Sequence, residues 1–344
     1  MRGFSRIGLA RTAIFFAVLI IIPLVGAPGF LLNTLVFTLM YAALASSWNL
    51  VGGYAGYPSL GHAAFFGIGA YSVGLIFSKD VFGGYVPFLV LPLIGIAVGL
   101  FAVPIGWVSM RTRADVFAIV TITLLFITQT LAFNLKGLTG GAQGTSVAAP
   151  PFGVDSFDWP FYFAMLALLG LAMGISLYFR RSKIGLSLAT VRADEDKAHG
   201  VGVRVTAVKL IAFAVSAGLA AMVGGVWAYY VGFIYPQFAI DPLITIGMVL
   251  MAFLGGRATL WGPVLGAFIL VPAQEFFAQS LGANQLYLFA YAAVFLVIIL
   301  FLPRGILPSI TERLKRRRDG ALEAASVGTD APPRTAAREV KVER

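Results

Sequence analysis

Gly84-Tyr85-Val86-Pro87-Phe88-Leu89-Val90-Leu91-Pro92-Leu93-Ile94-Gly95-Ile96-Ala97-Val98-Gly99-Leu100-Phe101-Ala102-Val103-Pro104-Ile105-Gly106-Trp107-Val108-Ser109-Met110 carries no formal charge and is followed at once by Arg111-Thr112-Arg113. As a helix it would be about 40 Å long, more than the ~30 Å of a bilayer's hydrocarbon core. It is apolar on every face, so it has no side to give to water, and the paired arginines behind it mark a cytoplasmic end. The rest of the chain is of the same kind: 59% of 344 residues are apolar and 12% charged, with a mean hydropathy of +0.89. Soluble domains run near 45–50% and 25%, so a soluble chain is excluded. A net charge of +10 on such a chain is an orientation signal rather than a nucleic-acid footprint. With no cysteine, disulfides, Cys-ligated zinc, Fe–S clusters and thiol catalysis are removed together.

Apolar runs between charge clusters and Gly/Pro breaks give spans at 12–26, 29–52, 60–78, 84–110, 115–135, 159–179, 206–232, 242–256, 261–280 and 285–303. The expected fold is all-α: a polytopic membrane helix bundle of about ten transmembrane segments, some broken or short. The 242–256 run is short, and Val51 to Pro58 interrupts the chain between the second and third spans. With the N-terminus inside and every span crossing, 23 of the 25 Lys and Arg fall inside, leaving only Lys79 and Lys136 outside. Losing one crossing in the middle would scramble that asymmetry, so both termini are expected to be cytoplasmic. Arg2, Arg6 and Arg11 before Ala13–Val25 also fit a signal peptide, whose removal would leave nine spans in the same orientation. Residues 1–311 then form a transmembrane domain. Residues 312–344, with Arg313, Lys315, Arg316, Arg317 and Arg318, form a basic cytoplasmic tail expected to be disordered, with a stop-transfer anchor or anionic lipid as its role.

Two connections stand out. The outer one, Lys136 to Trp159, is rich in Gly and Pro and is either a docking or gating loop or a plain connector. The inner one, about 180–205, has an amphipathic middle from Gly185 to Gly200: Leu186, Leu188 and Ala189 precede the charge-dense Arg192-Ala193-Asp194-Glu195-Asp196-Lys197, and Ala198-His199-Gly200 is expected to stop it. A short cytoplasmic surface helix follows. Inside the spans Gly95/Gly99, Gly170/Gly174, Ala221/Gly225 and Gly262/Gly266 form small-xxx-small pairs that allow close helix approach. Intramembrane carboxylates are scarce. Glu275 is the one well inside a span; it would be the centre of an ion-coupled carrier, though an interfacial role ranks ahead. Ser59 and His62 offer a nucleophile and a base one turn apart, but on one helix the hydroxyl and imidazole would not align, and no Gly-x-Ser-x-Gly or His-Glu-x-x-His is present, so a hydrolase ranks low. No Gly-x-x-x-x-Gly-Lys-Ser/Thr loop occurs, so the chain is not expected to be a pump's ATPase by that route, and any ATP energy would have to arrive through another subunit.

The string Leu50-Val51-Gly52-Gly53-Tyr54-Ala55-Gly56-Tyr57-Pro58-Ser59-Leu60-Gly61-His62-Ala63-Ala64-Phe65-Phe66-Gly67-Ile68-Gly69-Ala70-Tyr71 resembles the signature of the branched-chain amino-acid ABC importer permeases. Thr139-Gly140-Gly141-Ala142-Gln143-Gly144 resembles the family's outer-loop motif, and Gly255 to Ala267 its late Gly-rich motif. Arg181-Ser182-x-x-Gly185, Ala189-x-x-Arg192-x-Asp194-Glu195 and Ala198 to Val203 resemble the loop that engages the ATPases. The likeness runs from Asn33 to Pro303, and its order and length resemble the LivM-type rather than the shorter LivH-type permease.

The resemblance implies an inner-membrane permease that is not an enzyme and binds no cofactor, its ATP and Mg being used by partner subunits. The implied partners are a LivH-type permease, two ABC ATPases and a periplasmic or extracellular solute-binding protein. Arg192, Asp194 and Glu195 are then expected as the polar rim of an ATPase contact, with Leu186, Leu188 and Ala198 as anchors and Gly185 and Gly200 as its bounds. Asn49, Gly56, Ser59, His62 and Phe65 are expected along the solute path, with the broken region Gly52–Ser59 exposing backbone polar groups to the solute. Tyr57-Pro58, Gln143 and Ala258, which stands where Gly is frequent, depart from the family pattern. They leave open whether the solute is Leu, Ile and Val or urea, a short amide or an aromatic acid.

Overall fold

In hydrocarbon a backbone must satisfy its own hydrogen bonds, so the apolar runs can only be helices. The computed structural model describes residues 6–78, 84–281, 293, 296 and 305–312, and is helical almost throughout. In order, the elements are α1 (Arg6–Leu24), α2 (Gly29–Trp48) running on as a π-helical segment (Asn49–Ala55), α3 (His62–Ile76), α4 (Val86–Ser109), α5 (Ala114–Asn134), α6 (Lys136–Thr139), β1 (Thr145–Ser146), α7 (Asp158–Arg181), α8 (Lys183–Ala193), α9 (Glu195–Gly200), α10 (Val205–Val231), β2 (Phe233–Ile234), α11 (Pro236–Ala239), α12 (Pro242–Gly255) and α13 (Gly262–Leu281). Six stretches among the described residues, 29–55, 86–109, 114–134, 158–181, 205–231 and 236–255, are long and apolar enough to cross a membrane, and 10–24 and 62–76 are shorter apolar helices. The molecule is a polytopic helical membrane bundle. The span expected at 285–303, Lys79 and the tail from Arg313 onward lie outside the described residues.

The second span differs from its sequence reading. Gly52 and Gly53 do not break it: the π-helical segment carries the backbone to Ala55, so the interruption is Gly56–Gly61 rather than Gly52–Ser59. Gly56 ends the helix at φ +78, its N–H bonding back to Val51 O, the left-handed stop that glycine takes without steric cost. α3, at 15 residues, is only about 22 Å long.

α10 is the axis of the bundle and packs most extensively against α3 and α4. Small residues make this possible. A Cβ on Gly69 would stand 2.0 Å from Ala221 O, one on Gly224 2.0 Å from Phe66 O, and one on Gly218 2.5 Å from Gly95 O. Of the four expected small-residue pairs, Gly95/Gly99 and Ala221/Gly225 lie on these seams, and Gly262/Gly266 on that between α13 and α12; Gly174 has open space around it. The outer connection is ordered: β1 pairs antiparallel with β2, Thr145 opposite Ile234, and Ala148 N–H donates to Phe77 O. The inner connection folds as two helices, not one, because the side chain of Asp194 caps the second: its carboxylate accepts from Lys197 N–H at 3.0 Å.

Candidate functional site

The Gly56–Gly61 interruption does not stand open. α8 and α9 lie directly beneath it and fill it with charge-assisted contacts. Arg192 Nη1 donates to Gly53 O at 3.1 Å, and its aliphatic stem packs so closely on Gly56 that a Cβ there would be 2.8 Å from Arg192 Cγ. Tyr57 donates its phenolic proton to the Glu195 carboxylate. The other Glu195 oxygen accepts from Lys209 Nζ at 2.7 Å, and the same ammonium lies 4.1 Å from the centroid of the Tyr57 ring. Lys209 is buried to 1% exposure while Glu195 is a third exposed, so the pair ties a cation inside the bundle to a carboxylate at its surface. Burial pushes the Glu195 carboxyl up, but the hydrogen bonds from Lys209 and Tyr57 and the Lys209 charge outweigh it and hold the group below its ordinary value of 4.5. Burial and the Glu195 carboxylate raise the Tyr57 phenol, which keeps it a donor.

The two residue sets expected to serve separate purposes therefore meet. Of the expected ATPase-facing residues, Arg192 binds this chain's own Gly53 carbonyl, Glu195 binds its Tyr57 and Lys209, and Asp194 caps α9. Leu188 and Ala198 are buried in the chain's own bundle, leaving Leu186, 62% exposed, at the surface. Gly185 packs against Phe179 O, and Gly200 has open space around it.

The expected path residues are packed, not open. Asn49 is buried and clamps the late Gly-rich loop, donating to Thr259 O at 2.9 Å and accepting from Ala258 N–H at 2.8 Å. That loop holds Ala258 at φ +61, a left-handed conformation that costs an alanine about 1–2 kcal/mol and accounts for glycine's fitness there. Ala258→Gly is expected to raise the melting temperature of the detergent-solubilised protein by a few degrees, about 1 kcal/mol.

Ser59, His62 and Phe65 are also fully buried, and Gly56 half-buried. Ser216 donates to Ser47 O at 2.6 Å, so its single proton is spent. It must accept from His62 Nε2 at 2.6 Å, leaving His62 Nδ1 to accept from Ser59 Oγ at 2.8 Å. The expectation that Ser59 and His62 would not align is thus overturned: Ser59 precedes α3 rather than lying on it, and its hydroxyl reaches the ring. The chain of hydroxyls joins α2, α3 and α10, and no carboxylate is among its partners. Phe65 stacks edge-on against Phe213 at 5.4 Å.

Sequence reasoning passed over Tyr57, Lys209 and Ser216 as partners. Lys209 carried the usable signal, a charge one turn inside an apolar run, which in a membrane calls for a counter-ion.

The sequence matches the protein family described as branched-chain amino acid transport system / permease component over residues 30–302. It is 27% identical over 307 residues, 81% of this chain and 70% of the relative, to the high-affinity branched-chain amino acid transport system permease protein LivM of Salmonella typhimurium. To the protein of the same name from Escherichia coli it is 26% identical over 313 residues, 83% of this chain and 71% of the relative. Over 190 residues, 52% of this chain and 51% of the relative, it is 28% identical to the autoinducer 2 import system permease protein LsrC of Salmonella paratyphi B. No solved structure matches it.

Proposed function

This chain belongs to the branched-chain amino acid transport system permease family, and from that premise we propose that it is one of two homologous permeases of an ATP-driven importer of Leu, Ile and Val in the bacterial inner membrane. A LivH-type chain is the second permease, two cytoplasmic ABC ATPases drive the cycle, and a periplasmic or extracellular binding protein delivers the solute. The chain itself performs no catalysis. Both termini are cytoplasmic, an orientation supported by a cleft in which Arg11 of α1, Arg180 of α7 and Thr311 stand together at one end of the bundle.

The observation that carries the proposal is the strut from α8–α9 to the hinge between α2 and α3, through Arg192–Gly53 and Tyr57–Glu195–Lys209. An ATPase pressing on Leu186 and the exposed rim of α8–α9 displaces α9, and the strut passes that displacement to α2, α3 and α10 as a rigid-body movement. At the opposite end Ala142 and Gln143 of the outer-loop motif are exposed, where a binding protein would dock.

The substrate is tested by competition. In vesicles holding the assembled importer, uptake of labelled leucine should fall at least tenfold with excess isoleucine or valine and be unaffected by urea or acetamide. The reverse pattern would assign another small solute, a reading favoured by the half-length likeness to the autoinducer 2 permeases.

A further inference from the structure

The cleft that holds Arg11 of α1 and Arg180 of α7 has a volume of about 520 Å³ and lies at the end of the bundle from which α8 departs. Thr311 stands at it, and Phe15, Trp261 and Leu265 are among its apolar lining. Among the described residues no carboxylate lines it. Neither arginine forms a hydrogen bond or an ion pair among the described residues, whose salt bridges are Lys197–Asp194 and Lys209–Glu195. Two guanidinium groups that share one space without a counter-ion repel each other. The negative end of the α7 dipole offsets this for Arg180, in the last turn of its helix. Arg11, in the second turn of α1, is near the positive end of its own helix and gains nothing there.

The surfaces that lead away from the cleft indicate what meets this charge. Phe15 joins α1 to α13, its ring 5.0 Å from that of Trp261 and 5.6 Å from that of Phe268. Beyond Arg11, Ile14, Val18 and Ile21 are exposed, and at helical spacing all four fall within about 80° of arc. Beyond Leu265, Ile269 and Phe276 are exposed on one face of α13 in the same way. Each hydrocarbon track starts at the cleft. A free phosphate ion would pair with the arginines and leave the tracks unused; an acyl chain alone would cover the tracks and leave the arginines unpaired. A phosphate head on acyl chains satisfies both. Trp261 stands where the two regions meet, the place tryptophan takes at a membrane interface. Past Thr311 the sequence adds Arg313, Lys315, Arg316, Arg317 and Arg318, which favours a net-anionic lipid over a zwitterionic one.

We propose that this cleft binds one anionic phospholipid from the leaflet on the α8–α9 side of the bundle. Arg11 and Arg180 grip its phosphate from two helices, Trp261 borders its glycerol, and its acyl chains run along the exposed faces of α1 and α13. A choline head is disfavoured because its own cation would stand beside the arginines. The bound lipid fastens α1 to the end of α7 that carries α8. The site requires only the membrane-spanning fold and goes beyond the importer reading, which its failure would leave untouched.

The full-length chain, delipidated in detergent, is titrated with phosphatidylglycerol, phosphatidylcholine or inorganic phosphate and followed by native mass spectrometry and thermal unfolding. One phosphatidylglycerol is expected to be held at least tenfold more tightly than phosphatidylcholine and to raise the melting temperature, and inorganic phosphate to have no such effect. Arg11→Gln combined with Arg180→Gln should abolish the preference. Arg111→Gln combined with Arg113→Gln, which removes the same charge outside the cleft, should keep it. Thr311→Asp, at an exposed position, should expel the lipid by repulsion and tests the site even where the double arginine variant fails to fold. Equal binding of the two lipids by the parent, parent-like binding in Thr311→Asp, or equal loss of preference in the Arg111/Arg113 variant would overturn the site. Stabilisation by inorganic phosphate equal to that by phosphatidylglycerol would overturn a lipid as its occupant.

Discussion

Glu195→Ala is expected to lower ATP-driven uptake at least tenfold while leaving membrane insertion unchanged. The substitution removes the one carboxylate that joins α9 to Tyr57 and Lys209, and it leaves the buried Lys209 without its counter-ion, at a cost of about 3 kcal/mol. Lys209→Met in the same chain should recover most of the lost stability, because it removes the stranded charge. It should not recover uptake, because the strut is still cut. Stability and coupling are thereby separated. The pH dependence has a defined sign. The folded Glu195 carboxyl lies below its ordinary value, so its contribution is complete above that value and is lost as pH falls through the folded one. Glu195→Gln should flatten that acid limb in thermal unfolding. Parent-like uptake and melting in Glu195→Ala would remove the strut from the mechanism.

Gly224→Val is expected to prevent assembly of a stable bundle. The added Cβ would meet Phe66 O at 2.0 Å, and the opposite approach, Gly69 on Ala221 O, is equally close. Neither contact can be relieved by a side-chain rotation; α3 and α10 must separate. The cost therefore exceeds the 1–3 kcal/mol typical of an overpacked core, in a medium where close packing is a main source of helix association. Gly174→Val, which meets nothing within 4 Å, should behave as the parent in size-exclusion chromatography and melting. Equal profiles for the two variants would contradict the seam.

What could be read from sequence was what hydropathy reports. The long spans at 84–110, 115–135, 159–179 and 206–232 fall within a few residues of α4, α5, α7 and α10, because an uncharged run of that length has one stable arrangement in lipid. Gly52-Gly53 misled because glycine breaks helices in water, whereas here the helix continues past both glycines as a π-helical segment, and Arg192 binds the carbonyl of Gly53. The partners of Glu195 were not legible: Tyr57 lies 138 residues away, and no local pattern encodes a contact of that range.

The central claim is that this chain is moved by nucleotide hydrolysis on other subunits. It is tested by leucine uptake into sealed proteoliposomes containing this permease, its LivH-type partner, both ATPases and the binding protein, with ATP inside and the proton and sodium gradients collapsed by ionophores. The account predicts accumulation against a gradient that stops when ATP is omitted and is absent from vesicles holding this chain alone. Accumulation by the chain alone, driven by a proton or sodium gradient and abolished by Glu275→Gln, would contradict it.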